Sequence, residues 1–160
     1  MLIEKDWLSF GHKFGDRCGH LDTDPNEVSP TFVQFLDAVW QLSQLFPQAF
    51  QFNEKYLICI QEHVYSCQYG TFLGNCERER VDFRDKTYSL WGFLVSNYDD
   101  FVNPVYDKDS SGDVLRPNTA PQNIKFWSGL YCRFEHGKNK SHKYLCALIN
   151  SLGRGLNFEV

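Results

Sequence analysis

Between Ser29 and Phe46 apolar side chains recur at Phe32, Phe35 and Leu36, Val39 and Trp40, Leu42 and Phe46. That spacing draws one apolar stripe along a helix and offers none of the alternation a half-buried strand needs. The helix predicted from Ser29 to Phe46 has Ser29 as an N-cap type, Pro30 at its first position, where a missing N–H costs nothing, and Pro47 as its stop. A stripe of this width has to be covered, so the rest of the chain must supply partner elements.

The neighbouring segments read as further helices. One begins near Asn53, with Glu54 against the positive end of the helix dipole, and Leu57, Ile60 and Val64 on one face; Gly70 lies beyond its last turn. A shorter one is expected in KTYSLWGFLVSN, with Leu90, Phe93 and Leu94 together. Another is expected from Thr119 and Pro121, with Ile124, Trp127, Tyr131 and Phe134 at helical spacing. Asp99 to Asn118 is rich in Asp, Ser, Gly and Pro and is expected to be an irregular surface loop. Leu2 to Gly19 reads as a short helix followed by a loop, with Trp7, Phe10 and Phe14 anchored in a core. The expected class is mainly α.

Aromatic residues make up 16% of the chain, enough apolar area for a packed core rather than a disordered segment. A net charge of −4 supplies no global basic field for nucleic acid. The six cysteines include no C-x-x-C pair and are expected to be reduced, mostly buried thiols. MLIEKDW turns acidic by Glu4, so no secretory leader is expected. The best apolar run, Ala38 to Phe52, is broken by four Gln and Pro47, so no membrane span is expected, and the cytoplasm is the default location. After Glu135 the balance changes: Lys138, Lys140, Lys143 and Arg154 face Glu159 alone, and residues 136–160 are expected to form a poorly packed tail.

Few residues carry recognisable chemistry. Asp107-Lys-Asp-Ser-Ser-Gly-Asp113 imitates the start of a calcium loop, but Asn118 stands where the bidentate Glu belongs, and a solvated turn is the expected outcome. His12, His20, Asp22 and Asp24 match no metal-ligand spacing, and the Asp and Asn residues around Pro25 read as turn chemistry. Neither a metal nor a cofactor is called for. There is no G-x-x-x-x-G-K-[ST] loop and no G-x-S-x-G elbow. Six positions after the cysteines stand Asp24, Tyr65, Leu73, Asp82, Lys138 and Leu152, so no Cys-x5-Arg phosphatase loop occurs and no catalytic residue is assigned. Lys13 and Arg17, four apart among Phe10, Phe14 and Gly11, Gly15 and Gly19, could present two cations to an anion; a solvated face with Asp16 as partner is the alternative.

The stretches LIEKDWLSFGHKFGDRCGHLD, SPTFVQFLDAVWQLSQLFPQAFQFNEKYL, HVYSCQYGTFLGNC, KTYSLWGFL and NPVY, in this order over residues 2–135, resemble the myotubularin-related phosphoinositide phosphatases. The similarity looks closest to the subgroup with a lipid-binding amino-terminal domain and a coiled-coil carboxyl end. It implies that residues 1–135 are the carboxyl-terminal, helical part of a cysteine-phosphatase-like α/β domain, with the catalytic Cys-x5-Arg loop encoded upstream of this chain. Residues 136–160 are a divergent tail with neither heptads nor the family's spacer. The family removes the 3-phosphate of phosphatidylinositol 3-phosphate and phosphatidylinositol 3,5-bisphosphate through a phosphocysteine. The family's basic residues after SFGH fall on Lys13 and Arg17, which the resemblance makes phosphate contacts, Arg17 foremost. It further implies a phosphoinositide head group on membranes as partner, peripheral endosomal association, and homo- or hetero-oligomers within the family. The competing reading is a non-catalytic helical module that pairs with an intact relative.

Overall fold

The apolar stripe of the longest helix decides the packing. In the computed structural model, which describes residues 2–20, 23–109 and 114–133, this helix is α2, Thr31–Leu45. It buries Phe32, Leu36 and Trp40 of the stripe read from the spacing, together with Val33, while Phe35, Val39, Leu42 and Phe46 are half-buried. Pro30 rather than Ser29 takes the N-cap position, and the Ser29 hydroxyl meets the Thr31 hydroxyl at 2.7 Å. α3, Glu54–Ser66, packs on α2 and buries Leu57, Ile60 and Val64. Asn53 caps it, its Oδ1 accepting from Tyr56 N at 3.3 Å. Its carboxyl end is closed by Cys67, the one described non-glycine residue with positive φ, 54°.

The chain divides into two units, Met1–Asn123 and Ile124–Val160. The first opens with a π-helical segment, Ile3–Ser9, and then α1, Phe14–Cys18. Later come α4, Glu77–Arg84; α5, Leu90–Ser96, capped by Ser89; and α6, Tyr98–Phe101. Single 3-10 turns stand at Pro25–Glu27, Gly70–Phe72 and Pro121–Asn123. Among the described residues the only extended pairing is one antiparallel bridge, Phe52 with Val102. This unit is helical, as expected.

Its core is aromatic. Phe14, fully buried, has its ring centroid 5.0 Å from Phe32, 4.9 Å from Phe72 and 6.5 Å from Trp7. Edge-on and tilted pairs like these add about 0.5–1.5 kcal/mol each beyond area burial. Trp91 extends the cluster from α5, and its indole N–H donates to Glu4 Oε2 at 2.7 Å, tying α5 to the opening segment.

Five expectations need correction. Phe10 is not a core anchor: it is 81% exposed, one residue past the π-helical segment and just before Gly11, whose φ of 83° turns the chain. The segment after Tyr98 is not wholly irregular, because α6 forms there and Asn103 Nδ2 donates to Pro47 O at 2.7 Å and Phe50 O at 2.8 Å. The helix expected from Thr119 is interrupted. Ala120 N donates to Asn118 Oδ1 and Asn123 Nδ2 to Asn118 O, local bonds that favour a turn, and helix resumes only as α7, Ser128–Tyr131, with Ile124 67% exposed. The cysteines are less buried than expected: Cys59 is buried, Cys18, Cys76 and Cys132 are half-buried and Cys67 is exposed. Finally, α4 was not foreseen at all.

In the second unit Trp127 and Leu130 are buried, and the Phe126 and Tyr131 rings stack at 5.7 Å. Phe134 and residues 136–160 lie outside the described residues, and with them the expectation of a poorly packed tail.

Candidate functional site

Lys13 and Arg17 fall on one turn. Arg17 N donates to Lys13 O at 2.8 Å as α1 begins, which joins the two residues through the backbone of one turn, with Lys13 at the N-cap. α1 ends at Gly19, left-handed at φ 65°, where a side chain would be strained.

Arg17 is already engaged on one nitrogen. Its Nη1 donates to Glu27 O at 2.8 Å and lies 3.0 Å from Glu27 Oε2. Among the described residues Nε and Nη2 make no hydrogen bond, and the side chain is 36% exposed. Lys13, 58% exposed, sits 3.7 Å from Asp16 Oδ2. Partly exposed pairs of this kind are worth about 0–1 kcal/mol, less than the roughly 1.5–3 kcal/mol of a hydrogen bond to a charged group, so an anion can displace them.

His12 registers the positive charge. Its ring packs edge-on against Trp7 and Phe14, at 4.8 and 4.7 Å, and its Nε2 is buried without a partner among the described residues. Burial lowers its pKa below the ordinary 6.5, and the Arg17 and Arg80 guanidinium groups push it lower still. A neutral His12 beside two fixed cations is the electrostatic signature of this corner.

Arg80 is the second guanidinium, 4% exposed on α4. Its Nη2 donates to Leu8 O, its Nη1 to Gly74 O at 3.5 Å, and its Nε lies 3.6 Å from Glu77 Oε2. Two carbonyls and a carboxylate offset much of the cost of burying the charge. The arginine thereby fastens α4 and the Gly74 turn to the opening segment.

Beside α1 lies an open groove of about 860 Å³, lined by Lys13 and by the carboxylates Asp16, Asp24, Glu27, Glu79 and Asp82. Arg17 is not among its lining residues. Five carboxylates against one ammonium make this lining unfavourable for an anion.

The remaining candidates are structural. Asp24 Oδ1 accepts from Asn26 N at 2.9 Å and from Asn26 Nδ2 at 2.8 Å, the turn chemistry expected around Pro25. Asp107 Oδ1 accepts from Asp109 N at 3.0 Å in a local turn; the rest of that loop, residues 110–113, lies outside the described residues, as does Asp22. His20 faces Tyr65 across 6.5 Å between ring centroids. Its pKa is lowered by burial, with the Val64 backbone opposing. The Cys18 thiol is pushed up to about 12 by burial, despite a hydrogen bond with Tyr65 that lowers it, so it is a poor nucleophile. Among the described residues no cluster of three or more His, Cys, Asp or Glu side chains could hold a metal.

The spacing reading missed three residues here: Glu27, Asn75 and Arg80. Glu27 sits in a turn, and Arg80 sits in a charged stretch with no apolar stripe. Asn75 touches α1 from 59 positions away, a distance at which the Gly-Asn pair signals only a turn.

Comparison with known proteins agrees with the family resemblance. Residues 1–81 match the model of the myotubularin-like phosphatase domain. Phosphatidylinositol-3,5-bisphosphate 3-phosphatase MTMR6 of Mus musculus is 54% identical over 153 residues, which is 94% of this chain and 25% of that protein. Phosphatidylinositol-3,5-bisphosphate 3-phosphatase MTMR8 of Homo sapiens is 53% identical, over 93% of this chain and 21% of that protein. Phosphatidylinositol-3-phosphate phosphatase MTMR7 of Homo sapiens is 52% identical, over 86% and 22%. The chain thus spans about a quarter of the length of the curated relatives it matches. A family match over residues 1–81 and identity above one half over 94% of its length make this chain a member of the myotubularin-like phosphatase family.

Proposed function

We propose that residues 1–135 are the carboxyl-terminal part of a phosphoinositide 3-phosphatase domain, and that Arg17, assisted by Lys13, contacts phosphate on the inositol head group. The observation that carries this reading is the state of Arg17: one nitrogen is held by Glu27, which orients the planar fork, while Nε and Nη2 make no bond among the described residues. A phosphate needs two parallel N–H donors of that kind. The relatives named as phosphatases of phosphatidylinositol 3,5-bisphosphate and phosphatidylinositol 3-phosphate supply the substrate class.

Turnover requires a thiolate over which backbone N–H groups and an arginine hold the phosphate. No cysteine of this chain has Arg six residues on, and Cys18, the one nearest the site in sequence, is held protonated by burial. The chain therefore contributes to head-group recognition, and the nucleophile comes from a segment it does not carry. In the complete enzyme these helices would buttress one side of an α/β sheet. The encounter takes place on the cytoplasmic face of a membrane, endosomal by the substrate class, with the protein bound peripherally.

Calorimetric titration tests the contact, with inositol 1,3-bisphosphate and inositol 1,3,5-trisphosphate as the probes. Arg17→Ala should weaken the trisphosphate by roughly tenfold or more, about 1.4 kcal/mol, and the bisphosphate by less. Equal affinity of variant and wild type for both probes would remove Arg17 from the site.

The second reading, a non-catalytic module that pairs with an intact family member, draws on exposed apolar side chains such as Phe10, Tyr88 and Val95. Co-purification with an intact relative, abolished by Phe10→Ser, would favour it over head-group binding; a monodisperse monomer in that mixture would count against it.

A further inference from the structure

The turn that presents Lys13 and Arg17 is gripped from across the fold. Asp16 N donates to Asn75 Oδ1 at 2.9 Å, and Asn75 Nδ2 returns a bond to Asp16 Oδ1 at 3.0 Å. The neighbouring backbone adds Gly15 N to Gly74 O at 3.2 Å. Asn75 is itself seated, its N–H donating to Glu79 Oε2 at 2.7 Å, and the Gly74 carbonyl is held by Arg80. The approach is close enough that a Cβ on Gly15 would stand 2.9 Å from Asn75 Oδ1. Such a contact is tighter than two unbonded heavy atoms tolerate, so a side chain at position 15 would displace the Asn75 amide.

The Asp16 carboxylate is thereby divided. One oxygen accepts from Asn75, and the other faces the Lys13 ammonium at 3.7 Å, a loose pair. We propose that Asn75 is a positioning residue of the phosphate site: it fixes the backbone of the turn bearing Arg17, and it keeps the Asp16 carboxylate from pairing fully with Lys13. This rests on the head-group reading above and assigns the residue that sets the geometry of that site. Without the amide, the Asp16 carboxylate gains a free oxygen and competes with phosphate for Lys13, while the Asp16 N–H loses its acceptor and the turn loosens.

The test uses the isotope-labelled chain and inositol 1,3,5-trisphosphate, following the Arg17 Nε–H resonance well below the melting temperature. Asn75→Ala should weaken binding about tenfold and broaden the Arg17 signal, with the amide spectrum of the core unchanged. Gly15→Ala should reproduce that loss from the opposite side by expelling the Asn75 amide. Because alanine favours the helix it joins, Gly15→Ala carries the test if the first variant folds poorly. Exchanging the pair, Asp16→Asn with Asn75→Asp, keeps the net charge and one amide–carboxylate bond, and should restore affinity to within about threefold. Binding within about twofold of wild type in both single variants, while Arg17→Ala loses binding, would overturn the positioning role and leave the head-group reading standing. An exchanged pair as weak as Asn75→Ala would also overturn it. If Arg17→Ala binds as wild type does, the head-group reading fails, and this inference with it.

Discussion

At the scale of single residues, His12 and Arg17 are coupled by charge, and that coupling is measurable. Arg17 and Arg80 hold the His12 pKa down after burial has already lowered it. Arg17→Ala should therefore raise the His12 pKa, by NMR titration of its ring protons, without returning it to 6.5, because burial remains. No upward movement would mean that the two groups are farther apart than described. An anion bound to Arg17 should act in the same direction as the mutation, so trisphosphate binding should also raise the His12 pKa. Spacing left the two cations open between an anion contact and a solvated face, and the family resemblance singled them out. Their partners were not legible. Glu27 reaches Arg17 across a turn, and Asn75 reaches Asp16 across 59 positions, relations that only the folded backbone creates.

At the scale of elements, the structure rewards periodicity and defeats it in equal measure. α2, α3 and α5 form where apolar residues repeat every three or four positions, with Asn53 capping α3 and Ser89 capping α5. α4 has no such stripe; its sequence ERERVDFR is charged on most sides, and what docks it is a buried arginine. Polarity patterns register apolar anchors and are blind to a guanidinium used as one. Phe10 errs the other way, an aromatic with every compositional reason to be inside and 81% exposed. Arg80→Leu should keep the volume but remove the charged donor that Leu8 O and Gly74 O share with the backbone N–H groups of Gly11 and Gly15, lowering stability by about 2–3 kcal/mol in urea titration. A loss under about 0.5 kcal/mol would show that the arginine is a passenger.

At the scale of the molecule, stability should depend on pH with a defined sign. His12 and His20 titrate below 6.5 when folded because burial disfavours their charged forms. The unfolded chain takes up protons near 6.5 where the native state resists them, so this contribution is complete above 6.5 and is lost as pH falls below it. The melting temperature should be level from pH 8 to 7 and should drop between about 6.5 and 5. A melting temperature that rises on acidification through that window would contradict the burial of the two rings. The mainly helical class was legible at this scale from spacing and punctuation, and the family from quoted motifs. An α/β setting came from the resemblance alone; among the described residues the extended pairing is the single bridge of Phe52 with Val102.

The central claim, head-group recognition without the thiol that performs the chemistry, is tested most directly by phosphorus NMR of a short-chain phosphatidylinositol 3,5-bisphosphate mixed with the 160-residue chain. The phosphate resonances of the lipid should broaden and shift on addition of wild type and far less with Arg17→Ala, while no inorganic phosphate line emerges over hours. A growing inorganic phosphate line, or lipid resonances indifferent to the protein, would contradict it.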